Sequence, residues 1–474
     1  MNDYSRNIFL SKNYIWGIIF EPQLFFIILP ATVVGFNITI AKLLEILLII
    51  FIAIFSLLAF KYNLKFKIRL PEINSTIYVF IYLFILSLLA SFIFGFFYGS
   101  FDINLSNIQR HDFYNYQLDQ KIITDGLIGI SILCFYFFFF SFMPSFFLDT
   151  RKKLEYFFLN FRRCFFFFLI IGYLDFFIEI ISGSTFDLIP RHLFDGVQIG
   201  GRLHGTAGEP RQAAVYLIFG LAVLNLESYF TNKENSKLLF ILIILALLLT
   251  QSVSMLIALF IYIIIMFFIF LFELSAARLG KFLLVVTLSI LTGFLVFKYD
   301  DFFATYIPRL GEVIRYGEAF SDVWFILDSQ AELPYHIKIQ LGEVFPIYDL
   351  IKIIQNGEIM RVMFGSGSGS AALNNYSYMN TLDAYGNPNA QGIRLLYESG
   401  IIGSCLYFLA FFTPIRILTS GYDKKIRLNF YNYMALILAV CLALRSPVVY
   451  IYLGVFISSL TLMNNQRIYK EQLE

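Results

Sequence analysis

The chain has 474 residues, of which 59% are hydrophobic and 14% charged, with a formal net charge of +2. Soluble domains carry roughly 25% charged residues, so the composition excludes one large soluble core. The small net charge gives no grip on nucleic acid.

What remains is a polytopic membrane protein, all-α, since a helix satisfies its own backbone within lipid. The 58 Phe and 30 Tyr suit lipid-facing and interfacial surfaces. The four cysteines, Cys134, Cys164, Cys405 and Cys441, fall in apolar runs without metal-ligand spacing and read as small core residues. The first apolar stretch lacks a small-residue cleavage site, so it is expected to stay as the first span.

A span takes about 20 apolar residues, and the chain offers about twelve such stretches. They fall near 15–36, interrupted at Glu21 and Pro22, then 43–60, 77–98, 124–147, 164–182 and 213–229. From 238 to 272 the run is too long for one span and breaks at Thr250, Gln251, Ser252 and Ser254, which predicts a hairpin of two. A ninth lies near 282–298, a tenth near 396–414, and the last two near 430–444 and 448–463, turning at Arg445–Pro447. The chain thus divides into nine spans over 1–298 with an outer loop at 183–212, a long loop over 299–392, and three spans with a tail over 393–474. With both termini in the cytoplasm, every short inside loop is basic, KYNLKFKIRL and DTRKKLEYFFLNFRR among them. The 183–212 loop and the 299–392 region then share the outer face. Within the latter, IPRLGEVIRYGEAFSDVWF reads as an amphipathic helix, and LGEVFPIYDLIKIIQNGEIMRVMF holds room for a second.

The polar stretch GGRLHGTAGEPRQ, from Gly200 to Gln212, stands out between two apolar segments. Charged groups beside hydrocarbon are costly, so a cluster of this kind points to function. Arg191, Arg202, Arg211, Arg309, Arg315, Arg361 and Arg394 all fall on or near the outer face. Arginine binds phosphate with two parallel hydrogen bonds and keeps its charge when desolvated. Other features carry two readings each. GSGSGS at 365–370 is a hinge or a backbone cradle for phosphate, although the P-loop lysine is missing. His192, His204 and His336 stand alone, without a metal-binding pattern. Asp175 and Glu179 share one helix face and mark a polar interior or an arginine partner.

Four stretches together carry a family resemblance. RLHGTAGEPRQAA holds Arg202, Gly205, Glu209 and Pro210; QSVSMLIAL gives a serine-containing turn; an Arg309-led helix runs on to MFGSGSGS; NPNAQGIRLLYESGIIG holds Glu398, Gly400 and Gly403. In order and spacing over about 164–414, the chain resembles the oligosaccharide repeat-unit polymerases (O-antigen polymerases, Wzy-type), relatives of the O-antigen ligases. Where ligase relatives carry His-Asn, this chain reads Pro388-Asn389.

The resemblance implies a metal-independent glycosyltransferase of the bacterial inner membrane, without cofactor. It would join polyprenyl-pyrophosphate-linked oligosaccharide units into a surface polysaccharide at the outer face. Arg202 and Arg309 would hold the leaving pyrophosphate, with Glu209 as base or orienting group. Arg191, His204, Arg211, Arg361, Asn389, Arg394 and Glu398 would line the substrate. The implied partners are the lipid-linked unit, membrane lipid, a chain-length regulator and a flippase. The alternatives are a ligase that transfers polysaccharide to lipid A core, and a transporter or flippase of lipid-linked sugar.

Overall fold

The computed structural model describes residues 3–20, 27–29, 38–39, 75–97, 147–182, 202–207, 209–231, 237–273, 344–371, 391–419, 424–444 and 448–471, with 422 and scattered positions at 43–54 and 126–144. The regular elements among the described residues are helices apart from one short two-stranded ribbon. Among the described residues, five helices are long and apolar enough to cross a membrane: Val79–Phe97, Arg151–Ser182, Pro210–Thr231, Gln391–Thr413 and Ile426–Ala443. Three shorter apolar helices accompany them, Lys237–Leu249, Ile257–Ile269 and Tyr450–Met463. The protein is a helical membrane protein.

Helix α1 is Asp3–Phe20. It covers only the first part of the expected 15–36 span. Beyond it, Ile27–Leu29 (β1) and Ile38–Thr39 (β2) pair antiparallel, so 15–36 is not one helix. Helix α2, Ser75–Phe97, matches its expected span. Helix α3, Arg151–Ser182, begins well before the expected 164, taking up the basic stretch expected as a loop. Its first turn bonds the backbone N–H groups of Lys153 and Leu154 to Thr150 O, each at 3.1 Å. Leu154, Phe157, Phe158 and Phe161 then bury one face. At 32 residues α3 is about 48 Å long, well beyond a hydrocarbon core of about 30 Å.

Helix α4 is Pro210–Thr231, with proline at the first helical position where its missing N–H costs nothing. The expected hairpin is α5, Lys237–Leu249, and α6, Val253–Glu273. Within 299–392 lie α7, Val344–Gln355, and the short α8, Ile359–Phe364. Helix α9 is Gln391–Leu418, α10 Lys424–Ala443 and α11 Val448–Glu471. The second and ninth expected spans, the Arg309 helix and the Arg445–Pro447 turn lie wholly or mostly outside the described residues.

The core gathers around α4, α10 and α11. Phe161, Phe165 and Phe168 of α3 surround Tyr216 of α4, with ring centroids 5.6, 5.5 and 4.9 Å from it. Phe219 stacks on Tyr452 at 4.2 Å, and Tyr433 on Phe456 at 5.1 Å. Much of the aromatic content therefore packs helix against helix, besides facing lipid. Leu238, Ile241 and Leu248 of α5 and Phe167, Ile170 and Phe177 of α3 are exposed, as expected of a surface that meets acyl chains. Around this frame, α3 packs on α4, α6 and α4 on α10, and α2 lies along α9.

Candidate functional site

The described part of the polar loop dips into the bundle. Leu203, His204 and Ala207 are fully or almost fully buried. The loop lies against Gly172 of α3, where an added Cβ would meet Leu203 Cδ2 at 3.3 Å and Gly205 Cα at 3.6 Å. From Gly172 to the helix end at Ser182 is about 15 Å of helix, so the loop reaches well below that end. A short helix meets it there: α5 has 13 residues, about 20 Å, and its C-terminal turn falls short of a full crossing. Leu203 N–H donates to Leu249 O at 3.0 Å. Arg202 Nε donates to Thr250 O at 3.0 Å and Nη2 to Gln251 O at 3.2 Å. The guanidinium thus caps the carbonyl end of α5, where a cation also meets the negative end of the helix dipole. Thr250 Oγ1 bonds Leu247 O at 2.7 Å, and Gln251 takes a left-handed φ of 49° to make the turn.

His204 Nε2 lies 2.9 Å from Asp175 Oδ2, both buried, and its Nδ1 is 3.1 Å from Gly205 O. The approach to Asp175 sets the loop's imidazole against α3. The histidine that stands alone in the sequence and the carboxylate expected in a polar interior are one pair. Glu209 precedes α4 and accepts Ala213 N–H at 2.9 Å through its carbonyl. Its Oε1 is 3.3 Å from Arg211 Nε, with Arg211 41% and Glu209 26% exposed.

A second group forms around α9. Gly365 to Ala371 are all buried, so GSGSGS is packed rather than a free hinge. Gly365, Gly367 and Gly369 have φ of 84°, 101° and 89°, values that only glycine reaches without strain. Helix α9 is broken at Gly400, φ 64° and ψ −166°. The loop crosses α9 at that break. Ser366 N–H donates to Tyr397 O at 2.9 Å and Gly367 N–H to Glu398 O at 3.1 Å. Ser91 Oγ of α2 also donates to Glu398 O, and Ser368 Oγ to Gly126 O at 3.2 Å.

Beside this crossing, Arg394 Nε and Glu398 Oε1 form a buried ion pair at 2.9 Å, one helical turn apart. A Cβ on Gly129 would lie 3.1 Å from Ser368 Oγ and 3.6 Å from Arg394 Nη2. On the other flank, Arg361 Nη1 lies 3.0 Å from Glu358 Oε2, and its Nη2 donates to Ser366 Oγ at 3.1 Å. Its Nη2 is also 3.8 Å from Asp349 Oδ2, which accepts Tyr397 OH at 2.5 Å.

The expected site residues thus fall into two sets, Arg202, His204, Glu209 and Arg211 in one and Arg361, Arg394 and Glu398 in the other. Arg191, Arg309 and Asn389 lie outside the described residues. Ser91, Asp349 and Tyr397 were not picked out by sequence; the one hint was that Tyr397 adjoins Glu398. Among the described residues, no group of three or more His, Cys, Asp and Glu could hold a metal ion. Comparisons of the chain with protein-family models, with curated proteins and with solved structures returned no match.

Proposed function

We propose that the protein is a polymerase of lipid-linked oligosaccharide repeat units. One observation carries this reading. The four stretches behind the resemblance are joined in pairs: Arg202 and Leu203 bind the turn at Leu249–Gln251, and the loop at Gly365–Gly367 crosses α9 at Tyr397–Gly400. Stretches far apart in sequence that meet backbone to backbone act as structural units. Both units hold charged groups within helices of membrane-spanning character, where such groups are by default functional.

In this reading the chain has about twelve spans with both termini cytoplasmic, in a bacterial inner membrane, and uses no cofactor. The acceptor hydroxyl of one unit attacks the anomeric carbon of the growing chain, and the polyprenyl pyrophosphate leaves. Arg309 carries the main charge that meets the pyrophosphate, with Arg211 and Arg394 in support. Arg202 contributes what its bonds to Thr250 and Gln251 leave over, chiefly by shaping the loop. Glu209, partly exposed and facing Arg211, takes the acceptor proton. A flippase supplies the unit and a chain-length regulator sets product size.

The decisive test is reconstitution of the purified protein in lipid vesicles with the host's own lipid-linked unit. A ladder of longer chains, with polyprenyl pyrophosphate released, is the expected result. The break in α9 and the buried glycine loop favour a transporter as second reading, since broken helices at depth mark many transport sites. Movement of the lipid-linked unit across the vesicle without a new glycosidic bond would establish that reading and sink the first.

A further inference from the structure

The seam between α7, α8 and α9 holds one buried donor without a partner and, close by, a partly exposed carboxylate. Arg361 Nε is buried and has no hydrogen-bond partner among the described residues. Its Nη1 and Nη2 are engaged by Glu358 Oε2 and Ser366 Oγ. Asp349, on the facing turn of α7, uses Oδ2 for Tyr397 OH and for the approach to Arg361 Nη2. Its other oxygen, Oδ1, takes no hydrogen bond from the described residues, and the side chain is 24% exposed. A buried donor without a partner is costly, and native structures rarely leave one unexplained.

The two atoms are complementary. A guanidinium N–H only donates and a carboxylate oxygen only accepts. A hydroxyl suits both kinds of group, its oxygen accepting from a guanidinium and its proton going to a carboxylate, and the two side chains approach to 3.8 Å. A phosphate satisfies the first and is repelled by the second and by Glu358. The seam is also held in place: Tyr397 is buried, and its bond to Asp349 ties α7 to the helix that carries Arg394 and Glu398.

We propose that Arg361 Nε and Asp349 Oδ1 form a subsite for a sugar hydroxyl of the repeat unit. The identity of the sugar as repeat unit rests on the polymerase reading; the hydroxyl subsite rests on the unpartnered Arg361 Nε and the nearby Asp349 carboxylate. Asp349 is thereby a specificity residue beside Arg361, and the seam recognises carbohydrate rather than pyrophosphate.

The test uses the full-length protein in lipid nanodiscs. The probe is oligosaccharide released by mild acid from the host's surface polysaccharide, with inorganic pyrophosphate as competitor. Binding is read by calorimetry and thermal stability by unfolding. Asp349→Asn and Arg361→Lys should each weaken oligosaccharide binding about tenfold or more, with pyrophosphate unable to compete. Tyr397→Phe removes the seam bond but leaves Oδ1, so it should lower thermal stability and hold binding within about threefold. Wild-type-like binding by folded Asp349→Asn overturns the subsite, as do competition by pyrophosphate and failure of the wild type to bind the oligosaccharide. Should Asp349→Asn not fold, Arg361→Lys decides on the same criteria. Oligosaccharide binding that depends on Asp349, in a protein that forms no glycosidic bond, keeps the subsite and removes the polymerase reading. Polymerisation with unchanged KM in Asp349→Asn does the reverse.

Discussion

Gly365 and Gly400 lie backbone to backbone: a Cβ on Gly365 would sit 2.6 Å from Gly400 N, and one on Gly400 would sit 2.5 Å from Gly365 N. Two chains this close leave no room for any side chain, and the contact fixes where the glycine loop enters the broken helix. Gly400→Ala should therefore combine a positive-φ backbone penalty of about 1–3 kcal/mol with overpacking of about 1–3 kcal/mol. Gly357 has a similar φ of 71° but nothing within 4 Å of its would-be Cβ, so Gly357→Ala should show the first term alone. Thermal unfolding of both variants in the same detergent compares them. Equal losses would mean that the crossing is not tight.

Arg394 and Glu398 are both buried and bonded to each other. Removing Arg394 leaves Glu398 as an uncompensated buried charge, so Arg394→Met should cost about 3–5 kcal/mol, which adding Glu398→Gln relieves. The double variant should recover most of that stability. Chain elongation by the double variant separates a structural pair from a functional one: recovery of stability without recovery of polymer assigns the pair to chemistry.

Arg202 engages two carbonyls with two N–H groups of one plane, a geometry that lysine does not reproduce. Arg202→Lys should lower stability by about 1.5–3 kcal/mol, the range for hydrogen bonds to a charged group. Full-length polymer from a destabilised Arg202→Lys would show that this arginine shapes the loop. Loss of polymer in a variant that unfolds at the wild-type temperature would return it to the leaving group.

Asp175 and His204 offer a direct measure of how the loop is pinned. A double-mutant cycle with Asp175→Asn and His204→Gln should give a coupling energy of about 0.5–3 kcal/mol. A coupling near zero would mean that the 2.9 Å approach contributes nothing to holding the loop on α3.

The sequence reading found those segments whose signal is a transfer free energy. The hairpin is the clearest case: a polar interruption at Thr250–Ser254 in an otherwise apolar run has one inexpensive solution, a turn. Hydropathy says which segment leaves water and nothing about its neighbour. The pairing of His204 with Asp175, the crossing at Gly400 and the bond from Tyr397 to Asp349 were therefore not legible. The early start of α3 escaped for a related reason. Its basic residues read as a loop, whereas Arg151–Glu155 and Lys153–Asp149 pair one turn apart on the helix surface and Phe157, Phe158 and Phe161 bury the opposite face. Aromatic content pointed outward to lipid, but shape fit between rings, which no hydropathy scale records, drew many of them into the core.

The crossing of the glycine loop with α9 also sets an order of assembly. Ser366 and Gly367 leave the ribosome before the Tyr397 and Glu398 carbonyls that accept their N–H groups. Until α9 is made, those donors lack the carbonyls that they bond in the folded protein. The break at Gly400 then gives α9 two half-helices that can be threaded around a loop already present. Folding of this region is thus a closing step that comes late in synthesis, and any chain cut short before α9 would leave the loop's backbone unsealed.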